Sequence, residues 1–255
     1  MNDAVSENPR VIVALDYANG DQARQFVDRL EPGSCRLKIG KELFTREGPE
    51  LVRYFTANGH EVFLDLKFHD IPNTVAQACV AAASLGAWMI NVHASGGRKM
   101  MSAAREALEG LGDRRPLLIG VTVLTSLDRG DLDDLGFKCD VRDLVLSRAK
   151  QCLESGCDGV ISSGLEVPAL REFVDEKLLV VSPGIRPVDN KPVGDQKRVV
   201  TVETAFQNGC DYIVVGRPIR DADSPRAAAE AMQASIEERI PRSESLQIGV
   251  SLSRG

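Results

Sequence analysis

In the segment Phe63-Leu64-Asp65-Leu66-Lys67-Phe68-His69-Asp70-Ile71-Pro72-Asn73-Thr74 an apolar run passes straight into an acid, a base and a second acid. In an extended chain, where the side-chain period is two, Phe63, Asp65 and Lys67 share one face and Val62, Leu64 and Leu66 share the other. Asp65 and Lys67 then stand about 6.6 Å apart along the strand, at a rise of about 3.3 Å per residue. Either charge buried alone costs several kcal/mol, so the two must neutralise each other or meet further partners. A structural ion pair capping a strand explains an isolated Asp-x-Lys. Charges that interrupt an apolar strand in this way either pair tightly or do chemistry.

Other polar residues stand where apolar runs end: Asp16, Lys38, His93 with Ser95, Thr125 with Ser126, Ser162 with Ser163, Arg186, and Gly216 with Arg217. Taken singly, each has a plain explanation. Asp16 suits the turn or N-cap of the next helix, Lys38 suits a partner for Asp16 or Asp65, and His93 suits a hydrogen-bonded core histidine. His60 and His69 have no evident chemical role. Ser162 and Ser163 lack the Gly-x-Ser-x-Gly elbow, which disfavours a serine hydrolase. Gly184-Ile185-Arg186-Pro187 and Val215-Gly216-Arg217-Pro218 combine close backbone approach with guanidinium forks, as an anion site needs, and Gln196 could close over the same anion.

The elements that must position these groups alternate. Short β-branched runs fall at Val11 to Leu15, Arg36 to Ile39, Glu61 to Lys67, Met89 to His93, Leu117 to Val123, Gly159 to Ser162, Leu178 to Ser182 and Tyr212 to Val215. Helical periods lie between them, at Asp21 to Leu30, Glu42 to Asn58, Thr74 to Leu85, Arg98 to Glu109, Val141 to Ser155, Val167 to Asp175, Val202 to Asn208 and Arg226 to Arg239. Glycines 59, 86, 156 and 209 follow helices as left-handed C-caps. The alternation points to a (β/α)8 TIM barrel spanning residues 1–240, with 241–255 a flexible tail, and puts the polar harvest at the C-terminal ends of the strands. The long connections Leu124 to Asp140 and Gly184 to Val200 read as binding loops or lids.

Composition sets outer bounds. The 255 residues are 43% hydrophobic and 27% charged with a net charge of −6, which suits one globular core and argues against nucleic acid or an anionic membrane as the main partner. The six cysteines are scattered without a Cys-x-x-Cys, disfavouring a disulfide scaffold or a zinc site. No run approaches the length of a membrane span and Met1 to Arg10 lacks the pattern of a leader, so a reduced, cytoplasmic protein is expected.

Asp16, Lys38, the run Asp65 to Thr74, Val121-Thr122-Val123-Leu124-Thr125-Ser126, Pro183-Gly184-Ile185-Arg186 and Val215-Gly216-Arg217-Pro218 occur in an order that resembles the bacterial orotidine 5′-phosphate decarboxylases, from Val11 to about Ile236. The resemblance implies decarboxylation of orotidine 5′-phosphate to uridine 5′-phosphate in pyrimidine biosynthesis, without metal or organic cofactor, by a barrel homodimer. It further implies that Lys67 donates a proton to C6 of the pyrimidine within a charge array of Lys38, Asp65 and Asp70. Asp16 and Lys38 would contact the ribose, Thr125 the pyrimidine, and Arg186, Gln196, Gly216 and Arg217 the phosphate. The run Asp65-Leu66-Lys67-Phe68-His69-Asp70-Ile71-Pro72-Asn73-Thr74 would touch substrate, with Asp70 and Thr74 reaching the partner's site. Two alternatives stay open: a magnesium-dependent relative with the same Asp-x-Lys-x-x-Asp core, such as a hexulose-phosphate synthase or keto-gulonate-phosphate decarboxylase, and a phosphate-ligand binding protein without turnover.

Overall fold

Eight strands, β1 (Val11–Ala14), β2 (Arg36–Gly40), β3 (Val62–Phe68), β4 (Met89–His93), β5 (Leu117–Val121), β6 (Gly159–Ile161), β7 (Leu179–Ser182) and β8 (Tyr212–Val215), pair in chain order and close on themselves, β8 against β1. The pairings are parallel throughout, and helices separate successive strands. The architecture is the (β/α)8 barrel expected from the sequence. The computed structural model describes residues 8–185 and 198–238, so the expected tail at 241–255 lies outside the described residues.

The period of two decides what each strand residue does. Ile12, Phe63, Met89, Ile119, Leu179, Val181 and Tyr212 point inward and fill the barrel. Their neighbours Val11, Val13, Leu37, Ile39, Val62, Leu64, Ile90 and Val92 point outward and pack under the helices with Phe55, Met100 and Met101. A large apolar side chain fully withdrawn from water contributes about 1.5 to 3 kcal/mol, so a one-residue slip of register would forfeit both layers together.

The N-terminal end of the barrel is sealed by Arg36. Its guanidinium lies 4.0 Å from the Trp88 ring centre and 5.2 Å from that of Tyr212. It pairs with Glu61 at 2.8 Å and donates to the Pro9 carbonyl. Burial pulls the Arg36 pKa down, with the Glu61 carboxylate opposing it. This end carries packing, and the opposite mouth is left for chemistry.

Three local expectations needed correction. The single helix expected over Glu42 to Asn58 is two, Lys41–Glu47 and Pro49–Ala57, because Gly48 takes a φ of 70° and Pro49 offers no amide hydrogen to continue the first. The segment Leu124 to Asp140 is not bare loop: Arg129–Asp134 is helical, closed by a reciprocal capping box between Asp128 and Asp131. Asp16 does not cap the following helix; Asn19 does, accepting the Gln22 amide hydrogen at 3.0 Å. Glycines 59, 86, 156 and 209 do take left-handed φ values, from 79° to 96°.

Candidate active site

Asp16, Lys38, Asp65 and Lys67 line one wall of the barrel mouth. Each is an inward position on β1, β2 or β3, or on the first turn beyond, so parallel pairing brings them side by side although the sequence scatters them. Asp65 is the hub. Its Oδ1 accepts from Lys67 Nζ at 2.6 Å and from Asn91 Nδ2 at 2.7 Å, and its Oδ2 faces Lys38 Nζ at 3.4 Å. Lys38 Nζ is also 3.7 Å from Asp16 Oδ1, which completes an alternating row of acid, base, acid, base.

Asp65 is only 8% exposed. Burial pushes its carboxyl up, but the ammonium groups of Lys38 and Lys67, with hydrogen bonds from Lys67 and Asn91, outweigh burial and hold the pKa below the ordinary carboxylate value. The carboxylate is therefore ionised near neutral pH. Lys67 lies on the expected face, but not in regular strand. Its φ is 52°, and the β3–β4 register shifts between Leu64 and Phe68. A left-handed non-glycine backbone costs on the order of 1 to 3 kcal/mol and persists only where the surroundings enforce it. Here Asn91 Oδ1 accepts the Lys67 amide hydrogen at 2.7 Å, replacing the ladder bond that the bulge removes.

The main cavity, about 610 Å³, opens across the barrel from this wall. Thr125 and Ser126, beyond β5, line its other side, and Gly216, Arg217 and Arg220, beyond β8, line its end. Arg217 begins the short helix Arg217–Arg220. A second recess of about 190 Å³ shares Asp16, Lys38, Asp65 and Lys67 and adds Tyr17 and Lys41. Burial raises the Tyr17 hydroxyl to about 12, leaving a neutral donor there at physiological pH.

The rest of the Asp65 to Thr74 run does not line the cavity of its own chain. Leu66 and Phe68 pack into the layer under the helices. His69, Asp70, Ile71, Pro72, Asn73 and Thr74 are exposed along the rim, Ile71 by 67%. Asp70 Oδ1 accepts the Ile71 amide hydrogen at 2.6 Å. Arg186 and Gln196 lie outside the described residues.

His93 stands behind Lys67, its ring 5.6 Å from that of His69 and its Nδ1 3.5 Å from the Ser95 hydroxyl. Burial first, then its neighbours His69 and Lys67, depresses its pKa to about 4, so it is neutral at pH 7. Ser162 and Ser182 serve the frame: the Ser162 hydroxyl bonds Glu166 and the Ser182 hydroxyl bonds the Ser162 carbonyl.

Asn91 and Arg220 are among the residues at the site that escaped the sequence reading, with Tyr17 and Lys41 of the smaller recess. Asn91 is wholly buried and faces inward between Met89 and His93, so its signal was a polar residue at an inward parity position of an apolar strand. Arg220 follows Arg217 by one helical turn and donates to the Asp16 carbonyl at 3.2 Å; its signal was the i, i+3 spacing of two arginines. Among the described residues no group of three or more His, Cys, Asp or Glu side chains is arranged to hold a metal, and no helix is long and apolar enough to cross a membrane.

Residues 9–232 match the family model for orotidine 5′-phosphate decarboxylase and the HUMPS family. The chain is 52% identical over 229 residues to the orotidine 5′-phosphate decarboxylase of Photobacterium profundum, covering 90% of this chain and 99% of that one. It is 50% identical, with the same coverages, to the enzyme of that name from Vibrio cholerae. The crystal structure of orotidine 5′-phosphate decarboxylase from Lactobacillus acidophilus superposes with a TM-score of 0.81 at 39% identity, over 90% of this chain and 99% of that chain. On sequence and on architecture alike, the chain belongs to the orotidine 5′-phosphate decarboxylase family.

Proposed function

We propose that this protein decarboxylates orotidine 5′-phosphate to uridine 5′-phosphate in pyrimidine biosynthesis, with Lys67 as the proton donor to C6 and without metal or organic cofactor. The observation that carries this reading is the buried Asp65 carboxylate held between Lys38 and Lys67 at the cavity wall. Simple binding of a phosphate ester needs no such row. In the reaction the bond from C6 to the carboxylate carbon breaks, carbon dioxide leaves, and the electron pair remains on C6. The Lys67 ammonium stabilises that pair and then protonates it, afterwards regaining a proton from solvent.

Asp65, close to the departing carboxylate, raises the energy of the bound substrate. Two charges about 4 Å apart at an effective dielectric near 20 interact by about 4 kcal/mol. Very slow uncatalysed reactions need about 23 kcal/mol or more of barrier reduction, so repulsion is a minor share and preorganised stabilisation by Lys67 carries more. In this reading Asp16 and Lys38 hold the ribose hydroxyls, Thr125 borders the pyrimidine, and Arg217 with Gly216, Arg186 and Gln196 grips the phosphate. Binding energy at that remote end is then expressed at the reacting carbon.

The exposed Asp70 and Thr74 belong, in the same reading, to the neighbouring site of a cytoplasmic homodimer whose protomer is a single barrel of residues 1–240. The test is loss of orotidylate absorbance with purified protein in excess EDTA. Turnover that survives the chelator supports the assignment. Turnover abolished by EDTA and restored by magnesium would favour the enediolate-handling relatives, and tight binding without turnover would reduce the protein to a ligand carrier.

A further inference from the structure

Beyond β5 the chain leaves the sheet at Val121, yet Val123, Leu124, Thr125 and Ser126 still form a wall of the cavity. The carbonyls of Thr122, Val123 and Leu124 are held by guanidinium groups rather than by a neighbouring strand, and that of Leu124 also accepts the Leu127 amide hydrogen at 3.0 Å. Arg148 Nη1 donates to the Thr122 carbonyl at 2.7 Å. Arg198 Nη2 donates to the Val123 and Leu124 carbonyls at 3.3 and 3.1 Å. The Leu124 carbonyl shares its peptide plane with the Thr125 amide, so that contact orients the residue that borders the cavity.

Arg198 is itself fixed from the next strand. Its Nη1 meets Glu166 Oε1 at 2.5 Å, in a pair whose side chains are 14% and 10% exposed. Glu166 lies beyond β6, where its Oε2 also accepts from the Ser162 hydroxyl at 3.3 Å. The Arg198 carbonyl accepts from the Ser163 hydroxyl at 3.4 Å. One side chain thus ties the turns after β5 and β6 to the chain that leads toward β8. Net stability is a poor reason for such a pair, because replacing a buried ion pair by apolar residues is often neutral or favourable. Its fork of donors, aimed at two successive carbonyls, suits placement of a wall.

We propose that Arg198, seated by Glu166, is a positioning residue that sets the Thr125–Ser126 wall and so selects for the planar base of the nucleotide; the choice of base rests on the function proposed above. Arg198→Met removes the fork. Arg198→Lys keeps charge toward Glu166 but cannot span both carbonyls, and Glu166→Gln weakens the seat while leaving the fork.

Two measurements on the full-length protein decide the matter. In hydrogen exchange, peptides reporting residues 122–127 should exchange about tenfold faster in Arg198→Met or, where that variant does not fold, in Arg198→Lys, the equivalent of about one charge-assisted hydrogen bond. Glu166→Gln should show a smaller rise. In titrations, uridine 5′-phosphate should weaken about tenfold in the arginine variants while ribose 5-phosphate, which has no base, changes less than about twofold. Unchanged exchange at 122–127 in the folded variants, or equal losses for the two ligands, overturns the proposal. Failure of the wild-type protein to bind uridine 5′-phosphate would instead overturn the function, and the exchange result would still decide the role of Arg198.

Discussion

Asn91 Nδ2 and Lys67 Nζ donate to the same oxygen, Asp65 Oδ1, at 2.7 and 2.6 Å, while Asn91 Oδ1 accepts the backbone amide hydrogen of Lys67 at 2.7 Å. One amide on β4 therefore orients the acid of the array and holds the bulge that presents its base. The strained backbone at Lys67 and the ionised Asp65 depend on the same side chain.

Asn91→Ala strands the Lys67 amide hydrogen and removes a donor from Asp65. A hydrogen bond to a charged group is worth about 1.5 to 3 kcal/mol, so kcat should fall about 10- to 100-fold with a smaller change in KM. Steady-state kinetics on the folded variant check this. An unchanged kcat would detach Asn91 from the chemistry.

Lys67→Ala and Asp70→Ala probe the donor and the shared site together. Lys67→Ala alone should lose more than a factor of about 100 in kcat and still bind uridine 5′-phosphate, because general acid catalysis by itself contributes about 10² to 10⁴. Asp70 is exposed on the rim and outside its own cavity. The two inactive variants, mixed and allowed to exchange subunits, should recover about a quarter of wild-type activity, since half the dimers then carry one intact site of two. No recovery despite exchange shown by mass-tagged subunits would place Asp70 in its own chain's site.

Arg217 lines the end of the cavity at the start of the helix Arg217–Arg220. Arg217→Ala should weaken orotidine 5′-phosphate by about 10- to 100-fold, the worth of a charge-assisted hydrogen bond to phosphate, and barely alter binding of orotidine. Calorimetric titration of both ligands separates the effects. Equal losses for the two would remove Arg217 from the phosphate site.

His93 links the site to pH-dependent stability. Its pKa is about 4 in the folded protein, through burial first and then its neighbours His69 and Lys67, against about 6.5 for a free histidine. Between those values the unfolded chain binds more protons, so stability is fully present above about pH 6.5 and is lost as pH falls toward about 4. His60, depressed mainly by burial, acts in the same direction. His93→Gln should therefore flatten the fall in Tm between pH 7 and pH 4.5. A wild-type slope retained in the variant would show that other groups govern the acid limb.

Local pattern carried much of this protein. Apolar runs of period two mark the strands, helical periods and glycine caps mark what lies between, and parity alone sets Asp65 and Lys67 facing inward, because each signal depends on neighbours a few residues apart. The same local view joined Lys41–Glu47 to Pro49–Ala57, since the helical period runs across Gly48 even though its φ of 70° breaks the helix. Pairing across strands was decided only in three dimensions. Asn91 meets Asp65 across 26 residues and Arg198 meets Leu124 across 74, through the closure of the barrel and the register of its strands. The left-handed turn at Lys67 belongs with them: no local preference favours it, and it exists because a side chain on the next strand supplies the bond that the bulge gives up.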